Sequence, residues 1–344
     1  MNGDAFPTAR AAGYRMPAEW EPHERCWMSW PSRRELWDDN LGATQRAYAN
    51  VANAISEFEP VTMLAPPHDA DNARSQCGDR ITVLAVELDD SWTRDNGPNF
   101  VKNDAGELAA SVFHFNAWGG KHRPWGKDAA LGHRLAEYLG IPSFSSTLFM
   151  EGGGINVDGR GTLLTTEQCV LNDNRNPGLT KDEAARALCD ALGMTGLIWL
   201  PGDPDDIETD GHVDGIACFV RPGKVLVEIC PVQGTPRYDN MQANLEAVRN
   251  ATDANGDTLD VVTIEEAYEA ERRSEIFASS YINFYIANGG IVMPGFGIDR
   301  DQDARNLVAT LFPDREVVQL DISDIALGGG GIHCITQQQP VSGT

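Results

Sequence analysis

The chain has 344 residues, 42% of them hydrophobic, which supplies a sizeable core and excludes wholesale disorder. Its formal charge is −24, with five lysines against twenty-two arginines. That total repels a phosphate backbone and an anionic membrane surface, so neither nucleic acid nor membrane is expected as a partner. A small cationic ligand, by contrast, is concentrated by a negative field.

No stretch has about 18 uninterrupted apolar residues, so no membrane span is expected. Residues 1–15 are polar, lack an apolar signal-like run and read as a flexible lead-in. The seven cysteines (Cys26, Cys77, Cys169, Cys189, Cys218, Cys230 and Cys334) are odd in number and include no C-x-x-C pair. Reduced thiols in a cytoplasm are the simplest reading, with neither a disulfide framework nor a zinc knuckle.

In chain order, apolar residues at three- and four-residue spacing predict a helix over 40–58. Short β-branched runs predict strands at 61–64, 81–88 and 99–101, followed by a helix over 127–139 that Gly140 ends. A strand at 161–165 precedes a helix over 180–192, which opens on the capping box Thr180-Lys181-Asp182-Glu183 and ends before Gly193. Strands follow at 195–200, 216–219 and 225–229, then a helix over 237–251, a strand at 261–264 and a helix over 264–274. The remainder reads as strands 281–287 and 290–293, a helix over 301–311, and strands 316–320 and 332–336. Strands outnumber helices, no Pro/Gly/Ser linker divides the chain, and the hairpins with interspersed helices suggest repeated ββαβ-type units in one domain spanning 1–344.

Four segments carry polar residues in unusual settings. In 89–98, Asp95 follows an apolar strand and Trp92 and precedes Gly97-Pro98, where α/β proteins place ligands. An Asx-turn would explain the same pattern. In 150–158, Glu151 precedes three glycines, which permit close backbone approach or simply a tight turn. In 208–215, an extended backbone would set His212 and Asp214 on one face, where they could share a proton or grip a cation. The H-x-D pair could also ligate a metal, but no second His cluster completes a site. In 328–340, Cys334 follows four glycines. A buried cysteine is the blander reading. On a strand His333 would point away from the thiol, so His212, brought in by the fold, is the better partner. Two carboxylates beside a thiolate suit a planar guanidinium. An acyl substrate would require an oxyanion hole, which acids would spoil.

On these motifs the chain resembles the agmatine deiminases, in the guanidine-modifying superfamily with bacterial-type peptidyl-arginine deiminases. The resemblance is carried by Trp92-Thr93-Arg94-Asp95-Asn96-Gly97-Pro98, Met150-Glu151-Gly152-Gly153, Asp210-Gly211-His212-Val213-Asp214 and Gly330-Gly331-Ile332-His333-Cys334-Ile335-Thr336-Gln337-Gln338. It extends nearly end to end, from Met16-Pro17 to Gln339-Pro340. The resemblance implies an α/β five-bladed propeller, the pentein fold, built of pseudo-symmetric ββαβ-type units. It implies that Cys334 attacks the guanidinium carbon and that Asp95 and Asp214 grip its nitrogens. His212 would protonate departing ammonia and then activate water, and Glu151 would hold the site and the substrate's inner nitrogen. The product from agmatine would be N-carbamoylputrescine, a step of putrescine and polyamine synthesis. No metal or organic cofactor is implied, and homo-oligomers are common in the family.

Two positions depart from the family pattern. Asn156 stands where a His is usual, and Gly331 where Asn is frequent. Both bear on which guanidine compound is used; an amidinotransferase, or a deiminase of another guanidine, is the alternative. Residues 203–210 hold five acids in eight positions, which suits the distal ammonium of agmatine and disfavours the carboxylate of free arginine; a solvated loop is the other reading. Asp210 is included as a substrate contact on this ground. Trp92 and Trp118 are candidate walls for the methylene spacer, with core packing as the alternative.

Overall fold

A computed structural model describes residues 8–343. Among them lie five separate sheets, each mixing antiparallel and parallel pairings. One sheet orders Tyr14–Arg15, Asn99–Asn103, Leu108–His114 and Ser143–Phe149. The next orders Gly196–Leu200, Thr162–Thr166 and Asn156–Val157. Two more are built from Ala217–Arg221, Lys224–Ile229 and Asp260–Glu265, and from Tyr285–Ala287, Gly290–Gly295 and Glu316–Asp321. The last brings the C-terminal strand Thr336–Pro340 antiparallel to His23–Ser29, then adds Val61–Ala65 and Ile81–Ala85 in parallel.

The same unit recurs. A hairpin is followed by a helix that crosses over to a strand parallel to the second hairpin strand, as such connections require. The crossover helices are Leu131–Leu139, Lys181–Leu192, Pro236–Arg249 and Arg300–Leu311. In the last sheet the helix is Leu41–Ser56, and the hairpin is formed between the two ends of the chain. Each helix turns an apolar stripe to its own sheet; Tyr48, Val51, Ala52 and Ile55 of Leu41–Ser56 are fully or nearly fully buried. Thr180 and Glu183 form the expected capping box, and Gly140 and Gly193 end their helices at φ 66° and 70°, where only glycine is unstrained.

Three predictions need correction. Residues 266–274 form turns after the strand Asp260–Glu265, because their apolar positions do not repeat around a full helical turn. Residues 332–335 are a turn, and the strand starts at Thr336, whose hydroxyl caps that turn by donating to the carbonyls of Ile332 and His333. The strands His23–Ser29, Leu108–His114 and Ser143–Phe149 carried no predicted element. Of the expected flexible lead-in, residues 1–7 lie outside the described residues. Ala9 is buried, and Tyr14–Arg15 pair with Asn99–Asn103. Among the described residues no helix is long and apolar enough to cross a membrane.

Candidate active site

The loops after the strands converge on a cavity of about 470 Å³ whose lining includes His212, Asp214, Asn283 and Cys334. Asp95 belongs to the one-turn helix Thr93–Asn96, which Gly97 closes by donating its N–H to the carbonyl of Thr93. Glu151 immediately precedes a single turn, Gly152–Gly154. His212 and Asp214 flank the start of another such turn, Val213–Gly215, rather than a strand, yet both are buried at the same point.

Gly153 marks where they meet. A Cβ there would stand 2.6 Å from His212 Nδ1, 2.8 Å from Asp95 Oδ1 and 3.0 Å from Asp214 Oδ2. Only glycine leaves that space open. Its own N–H donates to Asp95 Oδ1 at 2.8 Å, and Trp118 Nε1–H donates to Asp95 Oδ2 at 2.9 Å. Burial, with the charges of Asp214 and Glu151 adding to it, raises the Asp95 pKa to about 6 despite the opposing pull of His212. Burial also works against ionised Asp214, but His333 and His212 overcome it and hold that carboxyl below its usual range.

His212 is cationic. Its Nε2 donates to Glu151 Oε2 at 3.1 Å, and its Nδ1 lies 3.8 Å from Asp95 Oδ1 with no hydrogen-bond partner. Burial would strip its proton, yet Asp95, Cys169 and Glu151 together raise its pKa well above the usual value. Glu151 accepts from Arg175 Nε at 2.9 Å on its other oxygen. That pair, wholly buried, keeps Glu151 ionised against the desolvation that opposes it. Each oxygen of Glu151 therefore accepts from one protein group, and the carboxylate orients His212.

Cys334 Sγ lies 3.4 Å from Asn283 Oδ1 and 3.5 Å from Asp214 Oδ2. Burial, then the charges of Asp214 and Asp95, push its thiol well above the ordinary range, so it is protonated when the cavity holds no cation. The expected pairing with His212 is thus replaced by a carboxylate and an amide, because residues 332–335 turn. The same turn brings His333 in: its Nδ1 is 2.9 Å from Asp214 Oδ2 and its Nε2 2.9 Å from Glu19 Oε1. With a carboxylate on each ring nitrogen, both carry protons. Arg94, 1% exposed, donates to Gln337 Oε1, Gln338 Oε1 and the carbonyl of His333, and its own N–H donates to the carbonyl of Cys334.

Of the six expected substrate contacts, Asp214 lines the cavity and Asp95, Glu151, Asp210, Trp92 and Trp118 do not, Asp95 and Glu151 standing behind His212. Asp210 is neutralised by Arg175 and Lys121 and also accepts from the Asn174 amide. Trp92 packs against Trp37 at 5.8 Å between ring centroids, and a Cβ on Gly330 would lie 2.3 Å from its ring. Trp118 acts through its bond to Asp95. Of the acidic segment, Asp203 pairs with Arg237, Glu208 bonds His122, and Asp206 accepts the backbone N–H groups of Glu208, Thr209 and Gly211. Asp203, Asp205, Asp206 and Glu208 do line the cavity.

The two departures have local accounts. A side chain at Gly331 would come within 2.5 Å of Asn283 Oδ1, so Asn283 occupies that space and bonds the thiol. Asn156 accepts from Phe219 N–H and donates to Glu19, behind His333 and away from the cavity. Sequence reasoning did not find Glu19, Arg94, Arg175, Asn283 or His333. Arg94 and His333 lie beside Asp95 and Cys334 in the motifs that carry the family resemblance, whereas Arg175 and Asn283 lie in segments with no pattern to mark them.

Residues 15–340 match the family model of the Porphyromonas-type peptidyl-arginine deiminases. The chain is 43% identical to an agmatine deiminase of Pseudomonas aeruginosa, over 97% of each chain. It superposes on the agmatine deiminase of Enterococcus faecalis with a TM-score of 0.94 at 36% identity over 98% of each chain. On the substrate-bound agmatine deiminase of C. jejuni the TM-score is 0.85 at 25% identity, covering 96% of this chain and 97% of the other. The chain belongs to the Porphyromonas-type peptidyl-arginine deiminase family.

Proposed function

We propose that this protein is an agmatine deiminase, hydrolysing agmatine to N-carbamoylputrescine and ammonia through a covalent thiouronium on Cys334. The observation that carries the reading is the convergence of Cys334, Asp214 and His212 on one acidic cavity. The names of the relatives support it.

The guanidinium enters between Asp95 and Asp214, over Gly153. Its charge cancels the field that keeps Cys334 protonated, so the thiol proton is lost and the thiolate forms where the electrophile lies. Sulfur attacks the guanidinium carbon. His212, held cationic by Glu151, gives its proton to one nitrogen, which leaves as ammonia, and the carbon is left as a thiouronium on sulfur. The departing ammonia takes up a proton from solvent. Neutral His212 then takes a proton from water as the oxygen attacks; the C–S bond breaks, the ureido product leaves, and Cys334 and His212 return to their starting states.

The five ββαβ sheets read as blades of one closed α/β propeller, a single catalytic domain with the cavity at its centre. The pairing of the C-terminal strand with His23–Ser29 supports this closure. Action in the cytoplasm, in putrescine synthesis and as a homo-oligomer, belongs to the same reading.

The test is to incubate the protein with agmatine and, separately, with free arginine, measuring ammonia and ureido product. Equimolar products from agmatine alone are expected, and Cys334→Ala should abolish them. Transfer of the amidino group to an added amine, with little ammonia-linked ureido product, would instead identify an amidinotransferase.

A further inference from the structure

Cys169 has no part in that mechanism, yet it sits against it. Its Sγ is 3.8 Å from Glu151 Oε2, the oxygen that accepts from His212 Nε2 at 3.1 Å. The three ligand-capable atoms lie within 4.8 Å of one another, and all three residues are buried. We propose that Glu151, Cys169 and His212 form an inhibitory site for a thiophilic divalent cation, with Zn²⁺ as the type ion.

A carboxylate oxygen, a thiolate and an imidazole nitrogen are a donor set that Zn²⁺ accepts. An ion about 2.0–2.4 Å from each donor needs donors roughly 3–4.5 Å apart; Glu151 Oε2 stands 3.1 Å from His212 Nε2 and 3.8 Å from Cys169 Sγ, and the third separation is within 4.8 Å. Outer partners are in place as well. Arg175 donates to the other oxygen of Glu151, and Asp95 Oδ1 faces the unpartnered Nδ1 of His212 at 3.8 Å, where it would take the N–H of a metal-bound imidazole. The ion replaces two protons, one from His212 Nε2 and one from the Cys169 thiol. Both go to solvent, nothing is oxidised or reduced, and the net charge beside Arg175 is unchanged.

With the ion on Nε2, His212 is neutral and its Nδ1, which faces Gly153, keeps its N–H with no lone pair to spare, so the ring can neither act as a cationic acid toward ammonia nor accept a proton from water. The ion is therefore an inhibitor of the reaction and no part of it. The word inhibitory rests on the deiminase reading; the binding does not.

Co²⁺ is a suitable probe because a thiolate-to-cobalt band in the near ultraviolet reports sulfur ligation without any turnover. The full chain and Cys334→Ala should both show the band, and Cys169→Ala should lose it, with Cys169→Ser as the replacement if the alanine variant does not fold. Zn²⁺ should lower agmatine turnover of the unaltered protein by at least about tenfold, reversibly with a chelator. Whatever turnover Cys169→Ala retains should be insensitive to Zn²⁺. A band that survives in Cys169→Ala and vanishes in Cys334→Ala would place the ion on the nucleophile and overturn the proposal, as would the absence of any band. A band lost only in Cys169→Ala from a protein that turns over no agmatine would uphold the site and defeat the deiminase reading.

Discussion

Cys334 Sγ lies 3.5 Å from Asp214 Oδ2, so the sulfur proposed to attack faces a carboxylate before any substrate arrives. A like charge at that range disfavours the thiolate. Neutral iodoacetamide should therefore alkylate Cys334 slowly at pH 7, and Asp214→Asn should speed alkylation while lowering turnover. An electrophile bearing an amidinium should react faster than iodoacetamide in the unaltered protein and lose that advantage in Asp214→Asn. Peptide mapping of the labelled cysteine decides this; fast labelling by iodoacetamide without the substitution would refute a substrate-assisted thiolate.

Asp95 sets the acid limb of the pH profile. Its pKa is raised to about 6, so it is charged above that value and neutral below it. Neutral Asp95 cannot pair with the guanidinium, so kcat/KM should fall about tenfold per pH unit below pH 6. Asp95→Asn should lose about 100-fold or more in kcat/KM at pH 7 and should flatten that limb. The alkaline limb belongs to His212, which must carry a proton for the ammonia step.

Gly153 is predicted to be intolerant of the smallest side chain. A methyl group would press on His212, Asp95 and Asp214 together, all within 3.0 Å of its Cβ. Gly153→Ala should therefore remove activity by at least about 100-fold, while the far-ultraviolet circular dichroism stays that of the parent. Near-normal activity would mean that the guanidinium lies elsewhere.

Arg175 is a stability prediction as well as a functional one. It is fully buried against Glu151, so Arg175→Met strips Glu151 Oε1 of its buried donor and leaves His212 as the remaining charged partner of that carboxylate. Breaking such a pair costs about 3–5 kcal/mol, read as a lower denaturant midpoint. The Glu151 pKa should then rise, His212 should lose its proton at lower pH, and the alkaline limb should move toward neutrality.

What was legible in the sequence follows from what local pattern encodes. The crossover helices were readable because an apolar stripe, a capping box at Thr180 and left-handed glycines at 140 and 193 all act within a few residues. Cys334, His212, Asp95, Asp214 and Glu151, which the fold brings together, each sit in a segment with glycine or a turn beside it, and that local pattern is what singles them out in the sequence. Their partners are not so marked. Arg175 reaches Glu151 across 24 positions and Asn283 reaches Cys334 across 51, contacts that only the assembled sheets create. The His333 error was one of backbone state: an alternating strand sends neighbours to opposite faces, while the turn over 332–335 brings both to Asp214.

The acidic segment before His212 separates into acids that organise and acids that can meet a ligand. Asp210 is neutralised by Arg175 and Lys121, and Asp206 holds the backbone of its own loop. Glu208 differs: it lines the cavity, its carboxylate bonds His122, and it stands beside Gly329, whose Cβ would meet Glu208 Cγ at 3.0 Å. If the distal ammonium of agmatine lies there, Glu208→Gln removes one charge-assisted bond worth about 1.5–3 kcal/mol, and KM should rise roughly 10- to 100-fold with kcat little altered. Asp210→Asn should instead loosen Arg175 and lower kcat through Glu151 and His212, leaving KM for agmatine nearly unchanged. Steady-state kinetics of the two variants separate the roles. A KM that ignores Glu208→Gln and its neighbours Asp203→Asn and Asp205→Asn would make residues 203–208 a solvated rim, and would leave substrate length to be read by the cavity's shape alone.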